Sequence, residues 1–287
     1  MTKACDVYKA TSPVDYHAML THIPTAGIVF GLTLSILGML SVVPQHIKLL
    51  KRKTSEGMSS HWLTLSNTQM FSSVCNITLL KFPILKGCSV IGFGACYPSL
   101  IALAQRGIWL VIFPIIFEFL LYFPPRIDAW TRRSFVVAIL EVVLLLCYMV
   151  AVVTSAAVLV NHFGPCHDSV LYFANILGLV ATVANIIQWM PQIYTTFSAK
   201  RVGSMSIVMV AVGAPGNFLV LFFLAFVSKE SVTTWLPNLS AALQQSILLA
   251  LLLTYRRREK LIAQASPYVE ISEDTPLVGP SKPSVAT

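Results

Sequence analysis

Apolar residues along this chain gather into seven long runs separated by polar stretches: Ala26–Val43, Trp62–Leu80, Gly107–Phe123, Ser134–Val160, Leu171–Pro191, Ser206–Val227 and Leu236–Tyr255. A helix rises about 1.5 Å per residue, so a run of roughly 18 apolar residues crosses the hydrocarbon core of a bilayer. The pattern predicts seven transmembrane α-helices. The segment Phe82–Gln105 carries Gly87, Gly92, Gly94 and Pro98 among apolar residues and reads as a packed loop or short re-entrant helix. The polar stretch before Ala26 lacks the apolar centre of a cleavable signal peptide, which leaves the first span as the targeting signal. The polar, proline-rich tail after Lys260 reads as disordered.

Two of the runs end alike. Val43-Pro44-Gln45-His46-Ile47 precedes Lys48, Lys51, Arg52 and Lys53, and Met190-Pro191-Gln192-Ile193-Tyr194 precedes Lys200 and Arg201. The shift that carries Pro44 onto Pro191 also carries Lys53 onto Lys200 and Met58-Ser59 onto Met205-Ser206. An internal repeat of whole helices suggests two similar bundles that can rock against each other, the basis of alternating access. Spans one and two then match spans five and six, and by extension span three matches span seven. Three helices reverse the chain, so the fourth serves as the linker that keeps the two triplets parallel. The expected units are an N-terminal segment 1–25, a first bundle 26–125, a linker helix 126–165, a second bundle 166–258 and a tail 259–287. The predicted fold is an all-α membrane protein of 3+1+3 helices.

Charge supports this reading. The chain is 56% hydrophobic and 11% charged, against about 25% charged in a soluble domain, and its mean hydropathy is +0.74. Lys and Arg concentrate after spans one, three, five and seven, which by the positive-inside rule puts the C-terminus in the cytosol and the N-terminus in the lumen or outside. The Lys3, Lys9, Lys81, Lys86, Arg106 and Lys229 side is then the lumenal one. The net charge of +8 reflects this placement. It is not a nucleic-acid footprint, because no basic domain with interleaved aromatics is present. Cys75 and Cys147 fall inside spans. Cys5, Cys88, Cys96 and Cys166 fall on the lumenal side, where three pairings are open. No metal cluster, phosphate loop or Ser-His-Asp set points to a cofactor or an enzyme.

Several residues carry candidate chemistry. Pro44 and Pro191 remove a backbone donor and kink or end their helices, and with Gln45 and Gln192 they are candidates for a cytosolic gate. Pro215, within Gly213-Ala214-Pro215-Gly216-Asn217, loosens span six and would aim Asn217 at a substrate path. Asn67 and Gln69 occupy the corresponding part of span two, and Gln244, beside Gln245, the middle of span seven. Glu118 and Glu141 are the ionisable residues read as lying well inside spans, and they are candidates for proton coupling or recognition of a cation. Asn76 opens an Asn-Ile-Thr sequon inside a span. Trp189, Tyr194, Tyr122 and Trp130 suit a cytosolic aromatic belt. In the tail, Tyr268-Val269-Glu270-Ile271 and the stretch from Glu273 to Leu277-Val278 have the form of sorting signals for cytosolic adaptors.

The duplicated Pro-Gln, the seven spans and the Gly-Met-Ser or Ser-Met-Ser after each basic loop resemble the PQ-loop (MtN3/saliva, cystinosin-like) superfamily over roughly residues 26–255. The stretch Gln188–Ser206 is closer in character to the fungal and lysosomal or vacuolar branch than to plant sugar carriers. The resemblance implies two triple-helix bundles around a central path and a member that exports a small polar metabolite, by first choice an amino acid, from a vacuole, lysosome or other endomembrane, with the plasma membrane as an alternative. Cystine exporters of the family couple to protons through membrane aspartates, and no predicted span here contains Asp. The competing reading is a seven-helix nutrient sensor or trafficking receptor without transport.

Overall fold

The structure is a computed structural model and describes residues 24–52, 60–122, 132–200 and 207–265. Among these residues it is all-helical, with seven α-helices: α1 Thr25–Arg52, α2 Ser60–Ile91, α3 Phe93–Tyr122, α4 Arg132–Phe163, α5 Asp168–Ala199, α6 Ile207–Phe222 and α7 Val232–Ala265. A π-helical turn, Phe223–Val227, extends α6.

The helices are longer than the apolar runs. The stretch Phe82–Gln105 is not a loop: α2 runs on to Ile91, Gly92 alone reverses the chain with φ +84°, and α3 starts at Phe93. A left-handed backbone favours glycine, so one residue suffices for a turn that the scattered glycines and proline had suggested was long. A Cys88–Cys96 disulfide clamps this corner with its Cα atoms 5.5 Å apart. Cys166 is also disulfide-bonded, while Cys75 and Cys147 are free. The helix α5 does not stop at Pro191 but continues to Ala199, where Lys200 turns left-handed and returns its N–H to the Thr196 carbonyl. Helix α1 likewise runs through Pro44 and Gln45.

In each bundle the third helix lies between the other two: α3 packs on α1 and α2, and α7 on α5 and α6. The bundles join along two seams, α2 with α5 and α1 with α6. The repeat shift maps α1 onto α5 and α2 onto α6, so the two seams are equivalent pairs. Helix α4 packs across α2 and α5, outside the seam between them.

Among the described residues, four stretches are long and apolar enough to cross a membrane: Ile139–Phe163, Asp168–Ser198, Val210–Val227 and Val232–Glu259. Their outward faces are exposed Leu, Val, Ile and Phe, including Leu144, Val150, Val158, Leu219 and Phe226. A face of this kind is stable against lipid, not water. Helix α2 falls short of that measure because Ser66, Asn67, Gln69, Ser72, Ser73, Asn76 and Lys81 run down it. All of them are buried, so α2 turns its polar stripe toward protein.

Candidate functional site

Two glycines set how closely the helices approach. A Cβ placed on Gly178 of α5 would meet the Thr233 side chain and carbonyl, each at 2.6 Å, and Asn76 Nδ2 at 3.1 Å. A Cβ on Gly31 of α1 would meet the Phe223 ring at 2.7 Å and Ile101 at 2.9 Å. The shift that superposes the Pro-Gln pairs carries Gly31 onto Gly178 and Asn76 onto Phe223. Ser35 and Thr182, also equivalent, each donate a 2.9 Å hydrogen bond to the carbonyl of the glycine one turn back. The repeat is thus reproduced in tertiary contacts.

The α2–α5 seam is hydrogen-bonded at both ends. Toward the Gly92 end, Asn76 Nδ2 donates to the Ala174 carbonyl at 2.7 Å, and Thr234 Oγ1 donates to Asn76 Oδ1 at 2.9 Å. Thr233 Oγ1 donates to Asn175 Oδ1 at 2.8 Å. Midway, Asn185 Nδ2 donates to the Pro237 carbonyl at 2.7 Å, tying α5 to α7. Toward the Lys200 end, Gln188 Nε2 donates to Ser66 Oγ at 2.6 Å, and Trp62 and Trp189 pack edge to face at 6.4 Å. Trp189 is buried, so it is an interhelical contact and not part of an aromatic belt.

The α1–α6 seam is apolar where it is described. Phe30 packs edge-on against Phe222 and Phe223. Leu34, Ile77, Ile101, Ala102, Phe223 and Leu224 form one buried layer in which α1, α2 and α3 meet the turn after α6. The π-helical turn makes this layer: the Ser228 N–H reaches back to the Phe223 carbonyl at 2.8 Å, and the widened turn lets consecutive residues, Phe223 and Leu224, both face inward with no exposure.

The sequence candidates are dispersed. Asn217 Nδ2 donates to its own helix at Gly213 O, 3.0 Å, and to Gln245 Oε1 of α7, 3.1 Å. Gln244 turns the other way and donates to the Ile186 carbonyl of α5 at 3.1 Å. Consecutive glutamines therefore tie α7 to both of its bundle partners. Asn67 and Gln69 are buried, and Asn67 Nδ2 is spent on the Leu63 carbonyl of its own helix at 2.9 Å. Pro191 and Pro215 sit inside α5 and α6 with exposed faces, and Gln192 is half-buried. Pro215 lines an apolar groove of about 560 Å³ with Phe218, Leu219, Leu249 and Leu253, which opens outward from the α6–α7 face.

Glu141 is brought to His61, with which it forms an ion-pair contact, and to Thr64 Oγ1 at 3.5 Å. With the Ser72–Tyr148 hydrogen bond of 2.7 Å, it fastens the linker helix to α2. Glu118 lies on α3. The side chains of Glu118, Pro44 and Gln45, and the tail residues Tyr268, Glu273 and Leu277, lie outside the described residues.

Charges that the sequence had placed in a lumenal loop are inside the protein. Lys81 of α2 is buried and pairs with Glu230 at 2.9 Å, just beyond the π-helical turn, so one ion pair links the two bundles. Arg106 lies in the middle of α3, is 6% exposed, and its Nη2 has no hydrogen-bond partner. An arginine at the centre of a membrane helix costs about 2.5–3.5 kcal/mol on insertion scales. The adjacent Gln105 donates to the Gly31 carbonyl at 3.2 Å.

The PQ loop repeat family matches this chain twice, over residues 26–85 and 173–232. The chain carries two PQ-loop repeats. The first match spans α1 and most of α2, and the second covers most of α5, all of α6 and the π-helical turn, the same helices that the glycine crossings relate. An uncharacterized protein of Schizosaccharomyces pombe is 23% identical over 260 residues, covering 82% of each chain. The solved structure of a eukaryotic SWEET transporter shares the PQ-loop fold with a TM-score of 0.54 at 15% identity, over 81% of this chain and 98% of that one.

Proposed function

We propose that this protein is a carrier, not a catalyst, that moves a small polar metabolite, by first choice an amino acid, out of a vacuole or lysosome by alternating access. The observation that carries this reading is the pair of repeat-equivalent seams. One is joined by hydrogen bonds and a tryptophan pair. The other meets through a buried apolar layer at the Gly92 end. Two equivalent seams of different chemistry give the bundles two ways to close, and exchanging them exposes a central ligand to alternate sides. The fold shared with a eukaryotic SWEET transporter supports the same reading.

In this account the moving units are residues 26–125 and 166–258, with 126–165 as the linker, and the helical prolines Pro44, Pro191 and Pro215 are the points that bend. The Gly92 end faces the lumen, and the tail signals at Tyr268 and at Glu273–Leu277 recruit sorting adaptors from the cytosol. Purified protein in liposomes, loaded with one unlabelled solute and given its labelled form outside, tests the reading. Saturable exchange of an amino acid is expected. Ligand-dependent partner binding by a protein that exchanges no solute would favour a sensor instead.

A further inference from the structure

We infer that the groove between α6 and α7 holds an acyl chain of an anionic phospholipid, whose phosphate sits on Arg256 and Arg257 at the Lys200 end. The inference needs the helices to span a membrane and does not depend on what the protein carries.

Both helices build the groove. Ala214, buried, and Ser246 and Leu249, half-buried, form its floor, while Pro215, Phe218, Ala250 and Leu253 stand exposed around it. Its volume of about 560 Å³ falls within the range of ligand sites, roughly 300–1,000 Å³. The face is apolar and turned to lipid, so hydrocarbon is what fills it.

Charge gives the groove a direction. On α7 the lining residues Ser246, Leu249, Ala250 and Leu253 recur at helical spacing, and the next two positions of that stripe are Arg256 and Arg257. Both are exposed. A helical side chain covers the turn before its own Cα, so their stems lie over the turn of Leu253, at the mouth of the groove. Arg258 follows in sequence but falls off the stripe. Toward the Gly92 end the outward face continues through exposed Phe222 and Phe226, both uncharged. One cationic end and one apolar end match a phospholipid with an acidic headgroup.

Depth agrees. Tyr255 Oη donates to the Phe197 carbonyl at 3.4 Å, so Arg256 and Arg257 stand level with the end of the apolar stretch Asp168–Ser198 of α5. Leu253 lies deeper by about 5–6 Å of helical rise. The headgroup zone is about 5–7 Å thick on each side of the hydrocarbon core. The phosphate therefore meets the guanidinium groups, whose donor forks suit it, as the chain enters beside Leu253. A second copy of the protein is the rival occupant. A two-fold axis along the membrane normal would set the same arginines of both copies side by side, and like charges oppose that pairing.

The test is native mass spectrometry of the purified full chain in detergent, with phosphatidylserine or phosphatidylcholine of identical acyl chains added. The wild type should retain one phosphatidylserine with an affinity roughly tenfold or more above that for phosphatidylcholine, as for two arginines at a charged headgroup. Arg256→Gln with Arg257→Gln should bring phosphatidylserine down to the level of phosphatidylcholine, and Arg258→Gln should keep the preference. Ala250→Phe, which fills the groove, should lower retention of both lipids. If that variant does not fold, the wild-type comparison and the arginine variants decide. Equal retention of the two lipids by the wild type, an unchanged preference in the double arginine variant, or an equal loss in Arg258→Gln would overturn the site. Glycerophosphoserine, which has the headgroup and no acyl chain, should bind far more weakly. Equal binding would show that the groove contributes nothing and would overturn the site too, as would a lipid-free dimer that blocks lipid binding.

Discussion

Gly178 faces Thr233 so closely that a Cβ on the glycine would come within 2.6 Å of the threonine's carbonyl oxygen. That oxygen belongs to the backbone at the start of α7 and cannot swing aside. Gly178→Ala must therefore move a helix, and an overpacked core loses about 1–3 kcal/mol. Gly31→Ala meets the Phe223 ring instead, a side chain that is fully buried, and should also destabilise. Gly216 has nothing within 4 Å of its Cβ position, so Gly216→Ala should be neutral or raise stability by up to about 1 kcal/mol through helix propensity. Melting temperatures of the three detergent-solubilised variants check this order, and a Gly178→Ala protein as stable as wild type would contradict the close crossing.

Asn76 holds three helices through one side chain, donating to Ala174 O of α5 and accepting from Thr234 of α7. Asn76→Ala should cost about 1–3 kcal/mol, since it also strands the groups left behind. Thr234→Val removes only one of these bonds. A double-mutant cycle of the two should give a coupling of about 0.5–1.5 kcal/mol. Additive effects would mean that Thr234 and Asn76 do not interact.

The Lys81–Glu230 pair joins the bundles at the Gly92 end with both side chains buried. Removing one partner, as in Lys81→Met or Glu230→Gln, leaves a buried charge or an orphaned polar group and should cost about 3–5 kcal/mol. Replacing the pair together, Lys81→Met with Glu230→Gln, should recover much of that loss. The comparison is again thermal, and single variants as stable as wild type would show that the pair does not close.

Glu141 reads differently once its surroundings are known. Its contacts are His61 and Thr64 at the Lys200 end of α2, on the linker helix and away from the apolar layer. Glu141→Gln is expected to lower stability slightly, by about 0–1 kcal/mol because His61 is largely exposed, and to leave the pH dependence of exchange unchanged. A shifted pH profile in liposomes would return Glu141 to a coupling role.

The sequence makes the helical repeat legible because apolar runs and proline are strong local signals. The Gly31 and Gly178 crossings obey the same shift as the Pro-Gln pairs, but a glycine inside an apolar run does not by itself announce a close approach, and only the packing against Phe223 and Thr233 reveals it. Other features were hidden for physical reasons. Hydropathy ends a span at a charge, so Lys81 and Arg106 looked like loop residues. Yet Lys81 is buried because Glu230, distant in sequence, folds against it, and α3 continues through Arg106 because Gly92 has already made the turn. The polar residues of the spans were read as lining a path. Asn217, Gln244 and Asn67 bond to helices, and only tertiary structure separates such ties from unpartnered groups like Arg106 Nη2 and Ser73 Oγ.

The most direct test of the carrier is counterflow in liposomes containing the purified wild-type protein, with labelled alanine, lysine, glutamate, cystine and glucose supplied in turn against the same solute inside. The account predicts saturable accumulation of at least one amino acid, dependent on that amino acid within, and weakened by Pro191→Leu. No exchange of any member of the panel above empty liposomes, by protein that remains folded and monodisperse, would contradict it.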